Sequence, residues 1–147
     1  VRIEDQVALL ARGTSRPVDV GEITARSPEG VLIRRHFINE SQIGIGASVV
    51  ARTTGRRKRA GGLLAYGLAT LAEIVRCPNR RFQLTLDDAP PVSASLIGLS
   101  VGNGARTAGG MSLTPAAEFD DALLDLLLIH HQSILRRLRS FPRIYSG

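Results

Sequence analysis

Four carboxylates fall within the eight residues from Glu118 to Asp125: Glu118, Asp120, Asp121 and Asp125. The chain as a whole carries a formal charge of +6, so this local reversal reads as a site for a hard cation. Mg²⁺ takes oxygen ligands from a carboxylate and backbone carbonyls, with water filling the remaining positions. A turn through Asp121 could supply that set. A solvated acidic loop leading into a strand accounts for the same residues. Just upstream lies Gly102-Asn103-Gly104-Ala105-Arg106-Thr107-Ala108-Gly109-Gly110. Glycines at this density let backbone amides close on an anion as a nest, and they equally make a tight connection between strands. No helix follows the loop directly, which excludes a dinucleotide fingerprint.

The other reactive residues form no constellation. His130 and His131 are adjacent, so on a strand they point to opposite faces and cannot act as a pair; with His36 they read as surface or strand-end residues. Ser112 and Thr114 have no adjacent base to make a nucleophile. Cys77 is the single cysteine, which excludes a disulfide framework and a cysteine zinc site; it reads as a packing residue. Arg56-Arg57-Lys58-Arg59, with Arg52 just before it, is the best partner surface. Such a cluster contributes about 1 kcal/mol per residue near an anionic membrane, while a solvated loop accounts for it equally well. Nucleic acid is the weaker partner class. Aromatics are only 4% of the chain and none interleaves the basic run to stack on bases.

The elements that must hold these residues belong to one domain's worth of chain, 147 residues with 44% apolar and 22% charged. Lys58 is the only lysine among 19 basic residues, and a basic excess of this kind favours anionic partners. No apolar run approaches the roughly 18 residues of a membrane span. The first ten residues carry Glu4 and Asp5 with no hydrophobic region, so a signal peptide is not expected. The expected location is cytoplasmic.

Ile3, Val7, Leu10 and Ala11 share a helical face that Gly13 terminates. From Pro17 to Ile23 the chain reads as a strand, Ser27 to Gly30 as a turn, and Val31 to Asn39 as the hairpin partner. Ser41 to Ala51 is a small-residue stretch passing into a short helix. Leu64, Leu68, Leu71 and Val75 then mark one face of a helix that ends before Pro78. Phe82, Leu84 and Leu86 alternate with polar residues as a strand, and Val92 to Val101 returns after the Asp87 to Pro91 turn. Leu123 to Ile129 is another strand, and Ser133 caps a basic helix. Antiparallel strands with a few helices predict an α+β or two-layer β-sandwich domain.

Taken in order, Phe37-Ile38-Asn39, Ile43-Gly44-Ile45-Gly46-Ala47, Gly61-Gly62-Leu63-Leu64-Ala65-Tyr66, Val101-Gly102-Asn103-Gly104 with Ala108-Gly109-Gly110, and Pro115-x-Ala117 with Asp121-Ala122-x-Leu124-Asp125 resemble the second domain of bacterial diacylglycerol kinases and related lipid kinases. The resemblance covers the chain from about Val18 to Gly147. It implies a mainly antiparallel β-sandwich at residues 17–147, incomplete at its C-terminal end. Residues 1–16 would be the closing helix of a nucleotide-binding domain. It further implies phosphorylation of a lipid hydroxyl with ATP and Mg²⁺ in a cleft between the two domains. By position, the metal turn would use the Asp121 carboxylate and the carbonyls of Glu118 and Leu123. Asn103, Gly104, Gly109 and Gly110 would form a loop at the cleft, and Arg56, Arg57, Lys58 and Arg59 would meet the inner face of a membrane. The expected partners are a lipid substrate and an anionic membrane surface, with a homodimer as a further expectation and nucleic acid excluded.

Two departures bear on that reading. Ala122 stands where the family usually has Gly, so a positive φ there would strain the turn by about 1 kcal/mol. Met111 stands in place of the loop's third glycine. The family's Gly-Gly-Asp-Gly-Thr phosphate loop and its Asp-Gly-Glu catalytic turn are not among these 147 residues. No catalytic residue is therefore expected within them. The alternative function is a non-catalytic basic module for anionic membrane or nucleic acid.

Overall fold

The computed structural model describes residues 2–53, 70–107, 110–140 and 143. The basic run Arg56 to Arg59, the predicted helix positions Leu64 and Leu68, and Gly109 lie outside them.

Helix α1 (Ile3–Arg12) is followed by two strands, β1 (Gly21–Arg26) and β2 (Leu32–Phe37). These pair antiparallel in register from Gly21↔Phe37 to Arg26↔Leu32. The expected turn closes them: Gly30 donates to the Ser27 carbonyl at 2.9 Å and adopts φ +84°, the left-handed region that glycine enters without a Cβ clash. No residue of α1 is buried. Its apolar face is open, with Ile3 74% and Leu10 86% exposed.

Strand β3 (Glu40–Gly44) runs straight into helix α2 (Ile45–Thr53). Residues 70–76 form helix α3, followed by β4 (Arg80–Leu84), β5 (Val92–Gly102), β6 (Asp125–His130) and α4 (Ile134–Ser140). The long strand β5 organises the main sheet, and all its pairings are antiparallel. Its outer half, Val92 to Leu96, pairs with β4; its inner half, Gly98 to Gly102, pairs with β3. Strand β6 pairs with β5 from Leu96 to Gly102, with a register shift between Leu96 and Gly98. A strand has two edges, so β3 and β4 lie end to end on one edge of β5 and β6 takes the other.

Leu96, Ile97, Leu99 and Ser100 are all buried. Neighbouring side chains alternate between faces, so β5 is covered on both, as the strand of a layered α+β domain must be. Val49 of α2 and Ile74 of α3 belong to the same core. The expected helical face corrects itself here. Leu71 and Val75 are 47% and 44% exposed, whereas Thr70, Glu73, Ile74 and Cys77 turn inward. Glu73 can be buried because Arg52 of α2 forms an ion pair with it, and a buried charge needs such a partner. Arg52, read with the basic run as partner surface, is thus engaged within the fold.

Arg137 of α4 ties the helices together. Its guanidinium donates to the carbonyls of Ile74 at 3.0 Å and Cys77 at 3.4 Å, the free acceptors at the end of α3. Cys77 itself packs at that end, and its Sγ–H donates to the Ile97 carbonyl at 3.4 Å. Burial, then the charge of Glu73, pushes its thiol pKa up. Less thiolate is therefore present at any given pH, and the thiolate is the reactive form. Cys77 is expected to react with a disulfide reagent at pH 8 at least tenfold more slowly than free cysteine, and to reach the free rate in denaturant. A native rate equal to that of free cysteine would contradict its burial.

Candidate functional site

The loop after β5 is fastened from both sides. The Asn39 carbonyl, between β2 and β3, accepts from the Asn103 and Gly104 amides at 2.7 and 3.2 Å. The Asn39 side chain donates to the Arg106 carbonyl at 3.0 Å. Asn103 is fully buried, and its Nδ2 donates to the carbonyls of Asp19 at 2.9 Å and Ile38 at 2.8 Å. A Cβ on Gly104 would collide with the Phe119 ring and with Asn39 Oδ1, so only glycine fits that crossing. Gly110 donates to the Thr107 carbonyl at 2.9 Å. The amides of Asn103, Gly104 and Gly110 are therefore occupied by carbonyls of the chain, and an anion nest from these three is not formed. Within the fold these bonds hold the loop in place.

The acidic segment folds as a tight turn between that loop and β6. Asp121 is exposed, and its Oδ1 accepts from the Leu123 amide at 2.9 Å. Ala122 takes φ +60°, the conformation in which glycine would be unstrained. A residue the sequence did not single out completes the turn. Asp19, ahead of β1, accepts from the Ala122 amide through Oδ2 at 2.7 Å, and its own amide donates to the Phe119 carbonyl at 2.6 Å. Adjacent amides thus bring the Asp19 and Asp121 carboxylates to one turn. Asp120 is exposed, and Asp125 is half-buried at the start of β6. Among the described residues no three His, Cys, Asp or Glu gather as metal ligands. The side chains at this turn are two carboxylates, hard oxygen donors of the kind Mg²⁺ takes and softer metals do not favour.

Between the main sheet and helices α2, α3 and α4 lies a cavity of about 750 Å³, within the range of small-molecule sites. Its walls are largely aliphatic: Val49 and Val50 from α2, Ile74 from α3, Ile97 from β5, Leu127 and Ile129 from β6, with Met111 and Leu113 from the loop. Polar residues gather at Glu40, Gln42 and Thr107. The Glu40 carboxylate accepts from Gln42 Nε2 at 2.9 Å and Ser100 Oγ at 3.3 Å through Oε2, and from Thr107 Oγ1 through Oε1. Sequence reasoning missed this cluster. The signal available was the period of two, which puts Glu40 and Gln42 on one face of a strand.

The histidines match their expected roles. His36 meets Glu22 across the hairpin at 3.4 Å, and His131 Nδ1 lies 3.0 Å from Arg137 Nη2.

These features together make an antiparallel α+β domain with a glycine-fastened loop, an acidic turn and an apolar cavity. Residues 41–147 match the family model of the YegS C-terminal NAD kinase beta sandwich-like domain, and the chain belongs to that family. A diacylglycerol kinase from Mycobacterium tuberculosis is 30% identical over 139 residues, which is 95% of this chain and 43% of the relative. A probable lipid kinase YegS-like protein from Pseudomonas aeruginosa is 32% identical over 135 residues, 88% of this chain and 40% of the relative. The solved structure of a candidate diacylglycerol kinase from Bacillus anthracis str. Sterne shares the fold with a TM-score of 0.54 at 21% identity, covering 86% of this chain and 41% of that one. The chain thus spans about two fifths of the length of these proteins. No helix among the described residues is long and apolar enough to cross a membrane.

Proposed function

We propose that the chain is the lipid-accepting part of an ATP- and Mg²⁺-dependent lipid kinase, which phosphorylates the hydroxyl of diacylglycerol or a related lipid. The observation that carries this reading is the aliphatic cavity beside the glycine loop. A lipid must be drawn out of a bilayer by its chain while its head stays within reach of a phosphoryl donor. Phosphoryl transfer itself rests on positioning and on neutralising phosphate charge. ATP would be held mainly by residues outside this chain. The open apolar face of α1 supports assigning residues 1–16 to the edge of that other domain, with residues 17–147 forming the second domain. Arg56, Arg57, Lys58 and Arg59 would hold the protein at an anionic, cytoplasmic membrane face.

The test is a chimera in which this chain replaces the second domain of the M. tuberculosis relative. The chimera should transfer labelled γ-phosphate from ATP to diacylglycerol in mixed vesicles, and the 147-residue chain by itself should transfer none. A folded chimera that binds ATP yet phosphorylates none of diacylglycerol, sphingosine or ceramide would defeat the reading.

Mg²⁺ would be held by Asp121 with the carbonyls of Glu118 and Leu123, and with Asp19 on the other side of the turn. It would neutralise charge there and stiffen the turn. Mg²⁺ at a hundred times its dissociation constant should stabilise the chain by about 2.7 kcal/mol through mass action. Asp121→Asn should abolish that rise in melting temperature while Asp125→Asn keeps it. Ala122→Gly should stabilise the metal-free chain by up to about 1 kcal/mol, since it relieves the positive φ. Equal loss of the Mg²⁺ effect in both aspartate variants would mean a diffuse acidic patch.

A further inference from the structure

We infer that Glu40 is the head-group receptor of the aliphatic cavity, and that it selects amphiphiles whose polar end donates hydrogen bonds, a hydroxyl or an ammonium, over those ending in an anion. The inference rests on the lipid reading of the cavity and adds to it the residue that chooses among lipids.

Glu40 opens β3 at the point where the chain leaves Asn39, so a well-fastened backbone positions it. Glu40 lines the cavity, and every partner its carboxylate has among the described residues is neutral: Gln42, Ser100 and Thr107. No arginine, lysine or histidine among the described residues lies within ion-pair reach of it. An ionised carboxylate accepts at about four lone-pair positions, and three donors leave acceptor capacity for whatever enters the cavity. The three donors also fix its orientation, so a ligand meets a preformed acceptor and need not order it.

Among the described residues no cation compensates its negative charge, which stands beside an aliphatic wall where electrostatic interactions are stronger than in water. A carboxylate- or phosphate-ended molecule would be repelled there, while a hydroxyl or ammonium would complete the acceptor's coordination. Thr107 belongs to the loop that follows β5, so the polar end of the cavity adjoins the loop assigned to the kinase cleft. An occupant would then lie with its chain against Val49, Ile74 and Met111 and its head toward that loop. Besides His130 at the end of β6, the lining among the described residues holds one permanent cation, Arg137, at the α4 end. Its guanidinium is occupied by the carbonyls of Gln132, Ile74 and Cys77 and by His131, so it is the weaker candidate for receiving a head group.

The experiment is displacement of Nile red, a neutral apolar dye, from the 147-residue chain at pH 7. The competitors are dodecylamine, dodecanol and laurate, each below its micelle concentration. Amine and alcohol should displace the dye at tenfold or more lower concentration than laurate. Glu40→Gln keeps the shape of the side chain and removes its charge; it should cut the amine's advantage over laurate by tenfold or more. If the alcohol weakens too, the natural head is a hydroxyl; if only the amine weakens, it is an ammonium. The wild-type ranking needs no variant, so it stands even if Glu40→Gln folds poorly. Laurate binding as tightly as the amine, or a ranking unchanged by Glu40→Gln in folded protein, would overturn the inference and leave the lipid reading intact. Failure of all three chains to displace the dye would sink both.

Discussion

Replacing Asn103 by alanine is expected to cost the fold about 3 kcal/mol, near 10 °C in melting temperature for a chain of this size. The side chain is fully buried, and its amide supplies donors to the carbonyls of Asp19 and Ile38. Alanine removes both bonds and leaves the two acceptors dry, and each buried acceptor left unpaired costs about 1–3 kcal/mol. The loss propagates to function. The Asp19 backbone anchored here places the Asp19 carboxylate on the acidic turn, so the Mg²⁺ response should weaken together with stability. Asn103→Asp separates charge from shape. An aspartate there would face two carbonyl oxygens in a buried setting, and both effects raise its folded pKa above the unfolded value near 3.9. A raised carboxylate pKa penalises the folded state above the unfolded pKa, so its deficit should grow as pH rises from 4 to 7. Asn103→Ala should show no such slope. Thermal melts of both variants at pH 4, 5.5 and 7 measure the difference, and parallel pH profiles would mean that Asn103 is reached by water.

The turn of the β1–β2 hairpin and the strand β5 were readable because their signals are local, whereas the strand expected over Pro17 to Ile23 forms at Gly21–Arg26. Ser27 to Gly30 is a turn by composition, and Val92 to Val101 is long and apolar. Strand β3 was not readable. Glu40, Ser41 and Gln42 look like loop, and they form a strand because β5 pairs with them and brings Ser100 to the Glu40 carboxylate, with Thr107 from the loop that follows. The inward face of α3 was misjudged for a related reason. Apolar spacing favoured Leu71 and Val75, but Arg52 neutralises Glu73 and allows the polar face to turn in. The same limit governs the site. Acid density located the turn at Asp121, and the family pattern anticipated that Ala122 would need a glycine-like φ. Asp19, which clamps that turn, lies 103 residues away in sequence, and no local pattern links the two. For Asp19 the contact is closed by the tertiary fold alone and leaves no periodic trace.

Gly44→Ala is expected to be at least as damaging, at about 3–4 kcal/mol, and Gly30→Ala shows why. Both glycines have positive φ, +86° and +84°, and an L-residue in that region costs about 1–2 kcal/mol. Around Gly30 an added Cβ meets nothing within 4 Å, so its cost should stop at that strain. At Gly44 the Cβ would strike the Ile97 carbonyl and the Gly98 Cα. These are backbone atoms of the buried central strand and cannot swing aside as a flexible side chain would. Forcing them apart adds about 1–3 kcal/mol of overpacking. Gly44 is also the last residue of β3, where the chain turns directly into α2, and α2 forms one wall of the cavity. Strain here should therefore move Val49 and Val50 relative to Ile97. Gly44→Ala should lower the melting temperature by about 10 °C and weaken Nile red binding several-fold, while Gly30→Ala should lower it by about 3–6 °C and leave dye binding unchanged. Equal melting temperatures in the two variants would mean that β3 and β5 can separate at Gly44 without cost, and the close crossing that sets the cavity wall would have to be abandoned.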